Sequence, residues 1–126
     1  MQLGARCHAE VVLASPQGRI DHASVSAFEQ ALAPLLAQTG SGGALVLDLS
    51  QLEYISSVGL RAFMVAERTL RERQARLVVA ALSGVVKEIF AISRFDRVFS
   101  VASSVDDALE QCSPAARASY AAARSA

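Results

Sequence analysis

Apolar positions along the chain follow two rhythms. Ala44 to Leu47 is an unbroken apolar run, and Arg76 to Leu82 carries another behind a single charged residue. Runs of this kind mark strands buried on both faces. Elsewhere the apolar residues recur at helical spacing. Val25, Phe28, Leu32, Leu35 and Leu36 line one face of a helix, with Glu29 and Gln30 between them. Ser26 with Glu29 forms a capping-box pattern, and Ser24 is a competing cap. Pro34 removes one intrahelical hydrogen bond, so a kink or an early end to the helix is expected there. A second helix is expected from about Ser57 to Arg73, apolar nearly all round in its first half and solvated on most sides in its second.

The remaining segments fill in around these. Ala9 to Ala14 reads as a strand, Ser15 to Gly18 as a turn, and Gly18 to Ile20 as a short second strand completing a hairpin. Gln38 to Gly43 is a glycine-rich connector. It precedes a strand, whereas a phosphate-cradling loop follows one, so it reads as a plain loop. Ser83 caps a short helix carrying Val85, Val86, Ile89 and Phe90, and Arg97 to Val101 forms a last strand. Ser103 or Ser104 then caps a helix with Asp106 and Asp107 in its first turn, which suits the helix dipole. Beyond Pro114 the chain either continues the helix or frays. Strands alternating with helices after the opening hairpin predict an α/β domain with a mostly parallel sheet.

Composition narrows the function. A chain of 126 residues with 52% hydrophobic and 19% charged residues is expected to fold as one domain around a sizeable core. Twelve basic and twelve acidic residues cancel, which removes the electrostatic footprint of a nucleic-acid or anionic-membrane binder. Cys7 and Cys112 lack metal-ligand or redox spacing and read as free thiols of a reducing cytosol. No apolar run is long enough to span a bilayer, and the first six residues do not make a signal peptide.

Candidate chemistry is sparse. His8 and His22 have no acidic or cysteine partner at ligand spacing. Asp21 and Asp48, at the ends of neighbouring segments, read as turn or capping carboxylates. Arg61, Arg68, Arg71, Arg73 and Arg76, interleaved with Glu67 and Glu72, read as a solvated, ion-paired face. Ser56-Ser57 sits where the central strand hands over to a helix. It lacks the glycines of a nucleophile elbow, so a hydrolase is not expected. A helix start accepts a serine cap, an anion or a phosphorylated serine, and the residues alone leave cap and regulatory site equally open.

Gly18-Arg19-Ile20-Asp21, the strand ending in Asp48-Leu49-Ser50, Tyr54-Ile55-Ser56-Ser57-Val58-Gly59-Leu60-Arg61 and Asp106-Asp107-Ala108-Leu109 together resemble the STAS family. The likeness is greatest to its bacterial anti-sigma factor antagonist branch and spans nearly the whole chain, from about His8 to Cys112. It implies a STAS fold: a mostly parallel sheet of about five strands, about four helices and an N-terminal hairpin. The whole chain would be one STAS domain, with residues 113–126 as a helical extension or frayed tail.

In that branch the helix after the central strand begins with a serine phosphorylated by a partner that is both kinase and anti-sigma factor. The serine lies two residues before a glycine, which here places it at Ser57. Ser56 takes the place of an aspartate and Val58 that of a small residue. The resemblance also implies partner contacts at Asp21, Ser56, Val58, Gly59, Leu60 and Arg61. It implies a non-enzymatic cytoplasmic protein with no cofactor or metal, no nucleic-acid contact and no membrane insertion, dephosphorylated by a PP2C-type serine phosphatase. The alternative implied by the same family is a STAS subunit that regulates or stabilises an ABC-type membrane transport complex.

Overall fold

The computed structural model describes residues 3–82 and 84–125, so the expected Ser83 cap lies outside the described residues. Among the described residues, seven strands and six helices follow in chain order. They are β1 (Arg6–His8), β2 (Val11–Ala14), β3 (Gly18–Ile20), α1 (Val25–Gln38), β4 (Ala44–Asp48), β5 (Leu52–Ile55), α2 (Ser57–Glu72) and β6 (Arg76–Ala80). After these come α3 (Gly84–Ile92), α4 (Phe95–Val98), β7 (Ser100–Ala102), α5 (Val105–Cys112) and α6 (Pro114–Ser125).

Five strands form one sheet in the order β1-β2-β4-β6-β7, all parallel except β1. The apolar run of β4 lies at its centre because both of its faces are covered. Leu45 and Leu47 point into a core shared with α1, α2 and α3, while Ala44 and Val46 point into a second core under α5 and α6. The larger core is built on aromatic rings. Phe63 of α2 lies 5.5 Å from Phe28, 6.4 Å from Phe90 and 6.2 Å from Phe99 between ring centroids.

The N-terminal hairpin exists, but its strands are not Ala9–Ala14 and Gly18–Ile20. It pairs Arg6–His8 with Val11–Ala14. The reason is edge occupancy: β2 has β1 on one side and β4 on the other, so β3 has no edge of β2 to join. Instead β3 forms a separate two-stranded parallel ladder with β5. The segment Leu52–Ile55, between the central strand and α2, is therefore a strand, with Leu52 and Ile55 facing the larger core. The last strand also begins later than expected, because Phe95–Val98 closes into a short helical turn.

Helix α1 runs through Pro34 and ends a turn later at Gln38. Pro34 is exposed, so the carbonyl it leaves unpaired faces water at little cost. Thr39 closes the helix, its N–H and hydroxyl both donating to the Leu35 carbonyl. At the other end Ser24 is the N-cap residue and Ser26 lies inside the helix. Residues after Pro114 form α6, which lies over β1. His8 Nδ1 is 3.0 Å from Ser119 Oγ, and the Tyr120 ring stands edge-on to the His8 ring at 5.6 Å.

Candidate functional site

The β3–β5 ladder decides what meets what at the start of α2. Ile20 pairs with Ile55, and the Ser56 N–H donates to the Ile20 carbonyl at 2.8 Å. This bond extends the ladder by one residue, so Asp21 and Ser56 leave adjacent parallel strands at the same end. Two stretches distant in sequence thus converge on one edge of the molecule.

Ser56 is the N-cap of α2, with extended backbone (φ −89°, ψ 176°), and its carbonyl accepts from the Leu60 N–H at 2.9 Å. Its side chain makes no cap hydrogen bond, and its Oγ is buried without a partner. Ser57, the first residue of the helix, is exposed. Val58 is 40% exposed, Arg61 one turn later is exposed, and Met64 and Val65 (52% exposed) carry the same face onward. Residues at these spacings are neighbours on a helix surface.

Gly59 and Leu60 point the other way. Leu60 is only 4% exposed and belongs to the larger core. A Cβ on Gly59 would sit 2.7 Å from Ile55 Cγ1 and 2.8 Å from Ile20 Cγ2. Neither residue can form the rim of a docking surface on the folded chain, because both are buried, Gly59 against the ladder and Leu60 in the larger core. Their contribution is to let α2 approach β3 and β5 closely enough to present Ser57. Gly59→Ala is accordingly expected to destabilise the fold by about 1–2 kcal/mol, overpacking outweighing the helix propensity that alanine adds. Urea denaturation measures it; a stabilised variant would show that the approach is not tight.

Asp21 is half-buried and holds the turn into α1. Its Oδ1 accepts from the Ala23 N–H at 3.0 Å and the Ser24 N–H at 3.2 Å. Partial desolvation pushes its pKa up, but the bonds from Ala23 and Ser24, helped by the nearby His22, outweigh this and hold it below the ordinary aspartate value. Arg19 Nε lies 3.9 Å from the Asp21 carboxylate, and its guanidinium stacks over the Tyr54 ring at 4.4 Å. Arg19 and Tyr54 lie in segments that carry the family resemblance but were not among the expected site residues; the parallel pairing puts them in register.

The other candidates lie elsewhere. His8 is buried under α6, Asp48 Oδ1 accepts from the Ser50 N–H at 3.0 Å, and Glu67 pairs with Arg71 at 2.8 Å on the solvated half of α2. Cys7 and Cys112 are free thiols. Among the described residues there is no group of three or more His, Cys, Asp or Glu side chains placed to hold a metal ion. No described helix is long and apolar enough to cross a membrane.

The family described as "Mlab, STAS domain" matches residues 7–109, which takes in every strand from β2 onward, the α2 start and the first part of α5, as far as Leu109. The chain belongs to the STAS domain family. Among relatives of this STAS chain, BtrV of Bordetella bronchiseptica is 41% identical over 75% of the chain and 79% of its own length. Its name assigns it provisionally as an anti-sigma factor antagonist. The anti-sigma-F factor antagonist RsfB of Mycobacterium tuberculosis is 29% identical over 81% of each. The crystal structure of an anti-sigma factor antagonist from Mycobacterium paratuberculosis superposes with a TM-score of 0.77 at 28% identity, covering 88% of this chain and 92% of the other. The five-stranded, mostly parallel sheet with its N-terminal hairpin is therefore a STAS fold.

Proposed function

We propose that this protein is a cytoplasmic anti-sigma factor antagonist that works by partner switching. Unphosphorylated, it binds an anti-sigma factor that is also a serine kinase, and so frees the sigma factor. The kinase then transfers the γ-phosphoryl group of ATP to Ser57 Oγ, the hydroxyl proton passing to a base on the kinase and ADP leaving. The phosphorylated chain dissociates, and a PP2C-type serine phosphatase resets it by hydrolysis.

One observation carries this assignment. Of the two serines at the start of α2, Ser57 is exposed on a rim with Val58 and Arg61, while the Ser56 hydroxyl is buried. Ser57 is thus the hydroxyl presented at the surface to a kinase. The names of the relatives support the antagonist role over the transport-complex alternative, and Asp21, at the same edge, extends the docking surface. Phosphate adds nearly two negative charges at pH 7. At the first residue of a helix the unpaired N–H groups tolerate that charge, so the fold survives. A partner surface shaped around a hydroxyl does not, because burying an uncompensated charge is costly. The test is incubation with the partner kinase and ATP, followed by intact mass and peptide mapping. One added phosphate on Ser57 is expected; no phosphate, or phosphate on another residue, would sink the assignment.

A further inference from the structure

Among the described residues, Ser56 Oγ is the buried side-chain polar atom that finds no hydrogen-bond partner. Leaving a buried hydroxyl unpaired is costly, and native structures rarely do so without a reason. The remedy is at hand: an N-cap serine ordinarily accepts from an N–H of the first helical turn, yet Ser56 makes no such bond. Its backbone is fully engaged, the N–H with Ile20 and the carbonyl with Leu60. Only the hydroxyl is idle, one residue from the exposed Ser57.

We propose that Ser56 is a positioning residue for the phosphorylated state: its hydroxyl, idle in the unmodified chain, donates to the phosphate carried by Ser57. The inference rests on Ser57 being the phosphate acceptor. A phosphate there lies at the mouth of α2, among first-turn N–H groups that lack intrahelical partners. Rotation about the Ser56 Cα–Cβ bond is the motion that would bring the hydroxyl to that mouth, where an N-cap side chain ordinarily makes its bond. The O–H donates and a phosphate oxygen accepts, a charge-assisted bond about twice as strong as a neutral one. The unmodified state thus carries an unsatisfied group that the modified state satisfies. Phosphorylation both repels the partner and locks the phosphate in one orientation.

The test uses the full chain with phosphoserine installed at position 57 during translation, so no kinase is needed. The second ionisation of the phosphate, near pH 6 in an unperturbed phosphoserine, is followed by phosphorus NMR across a pH titration. Because the hydroxyl favours the dianion, Ser56→Ala is expected to raise this pKa by about 0.5 unit, and Ser56→Thr to restore it. In the unmodified chain, Ser56→Ala should melt at the same temperature as the parent or higher, since it removes an unpaired group. Superimposable titrations of the Ser56 and Ser56→Ala chains would overturn the proposal, as would failure of threonine to restore the value. A clear loss of melting temperature in unmodified Ser56→Ala would overturn it too, by showing that the hydroxyl is an ordinary cap. Failure of a kinase to modify Ser57 leaves this measurement intact, because the phosphate is already in place.

Discussion

Ser57→Asp is expected to bind the partner kinase at least about a hundredfold more weakly than Ser57→Ala, with both variants folded and as stable as the parent. The size follows from the cost of burying an uncompensated carboxylate at an interface, on the order of 3 kcal/mol or more, at about 1.4 kcal/mol per tenfold in affinity. Stability stays level because the two requirements separate in space. Ser57 is exposed at the first position of α2, where a carboxylate meets the favourable end of the helix dipole. Titration calorimetry against the kinase, with a thermal melt of each variant as control, measures both halves. Equal affinities for the two variants would contradict a charge-operated switch. A large drop in melting temperature for Ser57→Asp would show that the charge acts on the fold instead.

Phe63→Ala should cost about 3–5 kcal/mol, a loss of roughly 10–20 °C in melting temperature for a chain of this size. Phe63 is fully buried and touches the rings of Phe28, Phe90 and Phe99, which come from α1, α3 and the segment before β7. Truncation removes three ring contacts at once and leaves a void where α2 meets the rest of the larger core. Val65→Ala, on the exposed side of the same helix, should change stability by less than about 0.5 kcal/mol. Denaturant titrations of the two variants compare them directly. Similar losses would mean that the aromatic cluster is not the keystone of the larger core.

Most elements were legible because their signals are local. Continuous apolar runs gave β4 and β6, and apolar spacing at three and four residues gave α1 and α2. A cap at Ser103 or Ser104 was legible from the acidic pair behind them, and the structure selects Ser104, which accepts from the Asp107 N–H at 3.1 Å. The short strands were hidden. Arg6-Cys7-His8 has no strand-like alternation, and Leu52–Ile55 is interrupted by Glu53 and follows a turn. Both are strands only because a partner strand is already in place beside them. No property of Gly18–Ile20 itself says that it pairs with residues more than thirty positions later and not with its neighbour β2.

The site divided along the same line. The Ser-Ser-Val-Gly-Leu segment marked a helix start with two hydroxyls, but which hydroxyl is exposed depends on the direction in which α2 lies on the ladder. Gly59 and Leu60 belonged to the expected rim because they adjoin Ser57 in sequence. They lie less than one helical turn beyond Ser57, and that partial rotation carries them round to the buried side. Arg19, Tyr54, Met64 and Val65 join the surface through pairing and helical phase, which a linear pattern does not display.

The two-stranded ladder also bears on how the switch can be imitated. A synthetic peptide spanning the Ser57 region would contain the phosphate acceptor but neither Ile20, whose carbonyl holds the Ser56 N–H, nor Asp21 beside it. Cut free of that support, the segment has no strand to pair with and no fixed start to its helix. Its phosphorylated and unphosphorylated forms would then be two disordered peptides differing in charge. Screening for inhibitors of the interaction therefore calls for the folded domain as the competitor, and a linear epitope is the wrong starting point.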